Sequence, residues 1–264
     1  MYDFAYHKPT SVADAVKLLS ADEDARAISG GQSLLPALKH RLNRPSVLVD
    51  LTGIAELKGI RREGDKITVG ALTRHVEVEN NPDVKAAIPA LAWMAGHLGD
   101  IQVRNRGTMG GSVANNDPAA DYPAAVLGLG ATVVTDKRRI AADDFFQGMF
   151  TTALEVGELL VAIEFPIPEK AGYAKMRNPA SRYVMAGVFV AKLGGGVRVA
   201  VNGAGPGVFR QAEMEAALAA NWSPDAVAGI RQSPDGLNGD IHGSAEYRAH
   251  LIGVLARRAV AAAE

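Results

Sequence analysis

Two short stretches of this sequence combine paired glycines with hydroxyl and amide side chains. The first is Gly30-Gly31-Gln32-Ser33, and the second is Gly110-Gly111-Ser112, which follows Thr108. Successive backbone amides in a glycine turn form a concave surface that binds anions, and a helix that starts beside it adds partial positive charge. Each stretch could therefore hold a phosphate group. Glycine pairs also form ordinary tight turns, so either stretch alone would be weak evidence.

Polar side chains surround and follow the second stretch. Residues 104–124 contain three glycines, three asparagines, two prolines and two aspartates, which predicts a loop. Asn115, Asn116 and Asp121 add side-chain partners suited to the hydroxyl groups of a dinucleotide, whereas backbone amides suit its diphosphate. Asp117 or Asp121 could instead cap a following helix. Neither glycine stretch has the spacing of a P-loop or a Rossmann fingerprint, so those two modes of nucleotide binding are excluded.

Composition limits the classes of function. The 264 residues include 28 Lys and Arg against 29 Asp and Glu, a balance that does not favour nucleic acid as a partner. The chain has no cysteine, which excludes disulfides, thiolate nucleophiles and an iron–sulfur cluster ligated by this chain alone. Six histidines show no metal-ligand spacing, so we expect no metal site, and no catalytic side chain is evident. Without a signal sequence or an apolar span, we expect a cytoplasmic protein.

Hydrophobic periodicity and breaker residues predict the elements that position these stretches. The chain begins with a βαβ unit, and a proline-rich segment at 166–172 separates an N-terminal domain, 1–170, from an antiparallel sheet with helices at 171–264, so the fold class is α+β. Predicted helices cover 12–19, 34–42, 83–98, 122–129, 211–220, 224–230 and 245–263. Predicted strands cover 25–29, 47–51, 66–71, 131–135, 139–140, 159–165, 173–177, 184–193 and 197–202.

The motifs resemble those of a known family. Segments 29–39 and 108–121 look like the two FAD-binding signatures of the medium, flavin-carrying subunit of the molybdenum hydroxylases, which include aerobic carbon monoxide dehydrogenase and multi-subunit relatives of xanthine dehydrogenase. Segments 173–183, 203–206 and 244–248 are similar in kind and order to the C-terminal domain of that family. The resemblance therefore extends over nearly the whole chain.

The resemblance implies a fold, a cofactor and a site. The fold is an N-terminal FAD-binding domain of the vanillyl-alcohol-oxidase (PCMH) type with subdomains at about 1–55 and 56–170, followed by a C-terminal domain like that of carbon monoxide dehydrogenase flavoproteins. The cofactor is FAD. Its diphosphate is assigned to Ser29, Gly30, Gly31, Gln32, Ser33, Leu34, Gly110, Gly111 and Ser112, its hydroxyl groups to Thr108, Asn115 and Asp121, and its isoalloxazine ring to the neighbourhood of Lys175 and Tyr183.

The segment predicted to lie near the isoalloxazine departs from the family in one position. Xanthine dehydrogenase relatives carry a lysine near the flavin where this chain has Gly187. Lys175, Arg177 and Arg182 could supply positive charge to a reduced flavin instead, although strands also carry such residues on their solvent face.

The implied function is electron transfer. The chain would accept electrons from a 2Fe-2S small subunit, which serves a molybdenum-cofactor large subunit, and pass them to an external acceptor. The three subunits would form a heterotrimer that dimerises. Two alternatives remain open: a stand-alone FAD-dependent reductase resembling UDP-N-acetylenolpyruvoylglucosamine reductase, and a nucleotide-binding assembly subunit without redox turnover.

Overall fold

The first fifty residues form a small parallel sheet in the computed structural model, which describes residues 1–263 and leaves Glu264, the last residue of the predicted C-terminal domain, outside the described residues. The elements are β1 (Ala5–His7), α1 (Val12–Ser20), β2 (Arg26–Ile28), α2 (Leu34–Lys39) and β3 (Val47–Asp50). Strands β2 and β3 pair in parallel across α2, which confirms the predicted βαβ unit. Strand β1, which periodicity did not predict, pairs with the other edge of β3.

The second sheet is antiparallel and has five strands in the order β4-β5-β10-β6-β7. Two 3-10 turns, Leu51–Gly53 and Ala55–Leu57, lead into it from the first sheet. The strands, with a separate small hairpin formed by β8 and β9, are β4 (Ile60–Glu63), β5 (Lys66–Gly70), β6 (Thr132–Thr135), β7 (Arg139–Ala141), β8 (Phe146–Gly148), β9 (Thr151–Thr152) and β10 (Leu160–Pro166).

Seven helices lie within this part of the chain, and they correct the sequence prediction at two places. They are α3 (His75–Asn80), α4 (Pro82–Ala87), α5 (Pro89–Gly96), α6 (Ile101–Arg104), α7 (Met109–Asn115), α8 (Tyr122–Gly128) and α9 (Ala142–Phe145). The single helix predicted over 83–98 is wrong, because Pro89 forces Ile88 out of the helical conformation and separates α4 from α5. The loop predicted over 104–124 is also wrong in part, since α7 lies within it.

The third sheet is antiparallel and packs between two apolar layers. It contains β11 (Lys170–Arg177), β12 (Val184–Leu193), β13 (Gly196–Asn202) and β14 (Phe209–Arg210), and it is followed by α10 (Ala212–Ala220), a 3-10 helix (Pro224–Val227) and α11 (Ala245–Ala261). The 3-10 helix is shorter than the helix predicted over 224–230. Alternation along β12 buries Val188 and Val190 in a cluster with α10 and α11, whereas Phe189 packs on the opposite side with residues of α5 and α8.

The predicted α+β class is confirmed by these elements. The apolar core on the Phe189 side is continuous from the second sheet to the third, so the division at residue 170 stays a prediction. Within residues 1–263, no helix is long and apolar enough to span a bilayer.

Candidate functional site

The first glycine stretch connects β2 to α2 and leaves its amides free. Gly31 has a φ of 69°, which a residue with a side chain rarely adopts. Its carbonyl oxygen accepts the Leu35 amide at 3.1 Å, which begins α2. Within residues 1–263, the amides of residues 30–33 donate no hydrogen bond to a backbone acceptor. Four consecutive donors are thus available to an anion, which is the chemistry expected from the sequence.

The second glycine stretch forms the first turn of α7, and its amides are already used. The amides of Met109 and Gly110 donate to the carbonyl oxygens of Thr73 and Ala71 at 3.0 and 2.9 Å. The Gly111 amide donates to Thr108 Oγ1 at 3.2 Å, which caps the helix, and the Ser112 amide donates to the Thr108 carbonyl. These residues therefore contribute close packing rather than free amides.

The two stretches touch each other directly. Thr108 Oγ1 lies 3.0 Å from Ser29 Oγ, although the two residues are 79 positions apart. A Cβ added to Gly111 would lie 2.6 Å from Ser29 Oγ, and one added to Gly30 would overlap the Arg106 carbonyl oxygen and lie 2.6 Å from Gly107 Cα. Glycine at these positions is what allows the β2–α2 connection to lie against the start of α7. The structure thus places the two predicted stretches in direct contact.

A buried histidine, His75, contacts Gly107 just before the second stretch. The His75 amide donates to the Gly107 carbonyl at 3.0 Å, and a Cβ added to Gly107 would lie 2.5 Å from His75 Nε2. Burial, with a smaller contribution from the nearby Arg104, lowers the pKa of His75 to about 4. The imidazole is therefore neutral at neutral pH. No role for His75 was predicted from the sequence, because its contacts with Gly107 and Arg104 come from a distant segment.

Asp121 is buried and contacts the third sheet. Its Oδ1 accepts hydrogen bonds from Tyr173 Oη at 2.9 Å and from Lys175 Nζ at 2.7 Å. Lys175 Nζ also donates to the His97 carbonyl at 2.9 Å. Burial raises the pKa of Asp121, whereas Lys175 and Tyr173 act in the opposite direction. The side chain of Asp121 does not cap α8, and Asp117 is used locally by accepting the Ala119 amide.

The remaining predicted residues lie around this centre. Tyr183 is half exposed, and partial burial together with Asp117 raises its pKa. Asn115 ends α7, and its side chain makes no hydrogen bond within the described part of the chain. Asn116 is engaged elsewhere: its Nδ2 donates to the Gly148 and Thr151 carbonyls, at 2.8 Å each, and so fixes the β8–β9 hairpin. Asn116 is therefore a structural residue.

Gly187 has a steric reason to lack a side chain. A Cβ at this position would overlap Asn202 Oδ1 and lie 2.6 Å from Tyr173 Oη. A lysine side chain therefore has no room at this position. Tyr173 and Asn202 were not found by sequence analysis, and a glycine inside an apolar strand was the signal that could have pointed to them.

Comparison with known proteins decides the family. Residues 2–168 match the family model described as "FAD binding domain in molybdopterin dehydrogenase". The chain belongs to this family. It is 37% identical to the nicotine 6-hydroxylase medium subunit of Paenarthrobacter nicotinovorans, over 97% of this chain and 95% of that protein. It is also 37% identical to the carbon monoxide dehydrogenase medium chain of Afipia carboxidovorans, with the same shares of the two chains covered.

Solved structures of related enzymes have the same fold. The structure described as reconstituted CO dehydrogenase from Oligotropha carboxidovorans matches with a TM-score of 0.92 at 34% identity, covering 99% of this chain and 97% of that one. Quinoline 2-oxidoreductase from Pseudomonas putida 86 matches with a TM-score of 0.88 at 32% identity, covering 98% and 96%. The predicted family, the fold of the FAD-binding medium subunit, the oxidoreductase class and FAD as cofactor are confirmed.

The residues of this site fit an FAD molecule chemically. Free amides at residues 30–33 match a diphosphate, which needs donors, and the glycines at 30 and 111 keep side chains out of the junction between the two stretches. Asp121 Oδ2 makes no hydrogen bond within residues 1–263, so one carboxylate oxygen remains for a hydroxyl group. In the same range, no group of three or more His, Asp or Glu side chains could hold a metal ion.

Proposed function

We propose that this chain is the electron-transfer subunit of a multi-subunit molybdenum hydroxylase. It accepts electrons from a 2Fe-2S small subunit, which receives them from a molybdenum-cofactor large subunit, and it passes them to an external acceptor. The observation that carries the proposal is the junction of the two glycine stretches, where free amides and a bare backbone surface meet. FAD, when bound there, supplies the redox chemistry.

The amides of residues 30–33 bind the diphosphate, since they point to no acceptor of the described chain. Ser29, Leu34, Gly110, Gly111 and Ser112 complete this part of the site. Gly110 and Gly111 contribute by allowing close approach, because their own amides are engaged. The contribution of the second stretch is thus steric, whereas the sequence suggested amide donors.

Side chains from Thr108 onward in the sequence bind the hydroxyl groups and the isoalloxazine ring of FAD. Thr108 and Asn115 lie at the two ends of α7, and Asp121 follows them with Oδ2 directed to no protein donor. Lys175 Nζ lies 2.7 Å from Asp121 Oδ1, and it opposes the rise in the pKa of Asp121 that burial causes. Tyr183, being half exposed, can contact the edge of the ring system.

Dependence on partner subunits follows from the residue inventory. The sequence has no cysteine, so thiolate-ligated iron–sulfur clusters belong to another chain. The relatives named as medium chains or medium subunits are parts of larger enzymes by their names. We infer that this chain is also part of a larger enzyme. We further infer a domain boundary near residue 170.

The test is flavin reduction in the assembled enzyme. The protein is purified from its native host with any co-purifying chains, and the visible absorbance of the flavin is followed after rapid mixing with substrates of the molybdenum subunit. Reduction that requires the iron–sulfur chain supports the proposal. Flavin bound without partners would indicate a stand-alone reductase, and native assembly without flavin would indicate a nucleotide-binding assembly subunit.

A further inference from the structure

Three adjacent strands place Gly187 between the polar side chains of Lys175 and Asn202. In the register of the third sheet, Lys175 of β11 pairs with Gly187 of β12, and Gly187 pairs with Asn202 of β13. Paired residues share a face of the sheet, and Tyr173, two positions before Lys175, lies on that face too. Because Gly187 has no side chain, Tyr173 and Asn202 can meet above it.

The side chains that meet above Gly187 hold the segment that precedes α8. Asn202 Nδ2 donates to the Ala120 carbonyl at 2.7 Å and to Tyr173 Oη at 3.3 Å. Tyr173 Oη in turn donates to Asp121 Oδ1 at 2.9 Å. Residues 120 and 121 are therefore fixed by two strands that are more than fifty positions away in the sequence.

The arrangement also determines which oxygen of Asp121 is free. Tyr173 and Lys175 both donate to Oδ1, and Oδ2 has no partner within residues 1–263. An ionised carboxylate can accept about four hydrogen bonds, two at each oxygen. With Oδ1 held at two points, the carboxylate plane is fixed, and Oδ2 keeps its full capacity to accept.

We propose that Tyr173 is a positioning residue, which orients Asp121 so that Oδ2 accepts a hydrogen bond from a hydroxyl group of the FAD ribityl chain. Asn202 orients the Tyr173 hydroxyl, and Gly187 leaves the space in which these groups meet. This inference rests on the proposed function, since it assumes that Asp121 contacts the cofactor. The third sheet then completes the cofactor site without contacting FAD at these positions.

A matched pair of tyrosines allows a clean test. Tyr122 is a fully buried tyrosine next to Asp121 in sequence, and its hydroxyl makes no hydrogen bond within the described residues. Tyr122→Phe therefore removes a buried hydroxyl without removing a partner, whereas Tyr173→Phe removes the bond to Asp121. The two variants change the same atom type in equally buried rings.

The experiment measures the FAD dissociation constant by fluorescence titration of the FAD-depleted native assembly. We expect Tyr173→Phe to weaken binding by about tenfold, as for loss of a hydrogen bond to a charged group, and Tyr122→Phe to change it by less than about twofold. If Tyr173 acts through Asp121, the double variant Tyr173→Phe/Asp121→Asn binds FAD no more weakly than Asp121→Asn alone.

Three results would overturn the inference. These are wild-type affinity in Tyr173→Phe, additive losses in the double variant, and wild-type affinity in Asp121→Asn. Each of them leaves the proposed function intact, because the wild-type assembly still binds FAD. Failure of the proposed function itself would be recognised separately, as an absence of FAD from the wild-type native assembly.

Discussion

Replacing Gly30 by alanine tests the junction of the two glycine stretches. The added Cβ would overlap the Arg106 carbonyl oxygen and lie 2.6 Å from Gly107 Cα, so it meets backbone atoms that no side-chain rotation can move. The φ of Gly30 is not in the left-handed region, which leaves steric overlap as the main effect. Overpacking of this kind costs about 1–3 kcal/mol. For a chain of this size, each kcal/mol lowers the unfolding midpoint by about 2–4 °C.

FAD affinity should fall in the same variant, for a second reason. Separating the stretches withdraws the amides of residues 30–33 from the surface of α7, and losing one hydrogen bond to a charged group costs about 1.5–3 kcal/mol, or tenfold and more in the dissociation constant. Both quantities are measured on FAD-depleted protein, by thermal unfolding and by fluorescence titration.

Gly194→Ala is the matched control for this substitution. A Cβ at Gly194 meets nothing within 4 Å, so we expect a change in unfolding free energy within about 0.5 kcal/mol and unchanged FAD affinity. Wild-type stability and wild-type affinity in Gly30→Ala would refute the close contact between the two stretches. A loss of stability without a loss of affinity would refute the assignment of the diphosphate.

Three further perturbations test single interactions. The pKa of His75 is about 4 in the folded protein and about 6.5 in the unfolded chain, so the free energy of unfolding falls by about 3 kcal/mol as the pH falls from 6.5 to 4. His75→Gln should remove this pH dependence in urea unfolding, and a difference from wild type that does not change with pH would contradict the expectation. Glu158 accepts Arg138 Nη2 at 2.9 Å, with its pKa lowered to about 2 chiefly by Arg138, so Glu158→Gln should cost about 1–3 kcal/mol at neutral pH in the same assay; wild-type stability would argue against the pair. Asn116→Ala removes the two Nδ2 hydrogen bonds to the β8–β9 hairpin, so hydrogen exchange should accelerate at Phe150 in the same hairpin, whose amide donates to the Asn116 backbone carbonyl; unchanged exchange would show that these side-chain bonds do not hold the hairpin.

Local patterns predicted the regular elements and missed those governed by distant contacts. The βαβ unit follows from a short apolar run, a glycine turn and helical spacing, and all of these act within a few residues. Helix α7 could not be found in this way, because glycine at position 110 is required by contact with a distant residue. A Cβ at Gly110 would lie 2.5 Å from Ala71 Cβ. Breaker residues used for close packing look the same in sequence as breaker residues used for a loop.

The residues of the candidate site also fall into those predicted from local motifs and those brought together by distant contacts. Its glycine and hydroxyl residues were visible as motifs, since each motif is contiguous. The pairing of Asp121 with Tyr173 and Lys175 was not visible, because the partners are separated by 52 and 54 positions and no periodicity links them. Only the third sheet brings these groups together, and the strand glycine that permits it, Gly187, is the one local trace that it leaves.

The most direct test of the central claim is the identity and amount of flavin released from the native assembly. The protein is purified with its partner chains, denatured, and the released cofactor is identified by chromatography and quantified against the amount of this chain. We expect FAD in an amount equimolar with this chain, a smaller amount in Gly30→Ala, and the wild-type amount in Gly194→Ala. Native assembly without FAD, or with a flavin that lacks the diphosphate linkage, would contradict the assignment of the two glycine stretches.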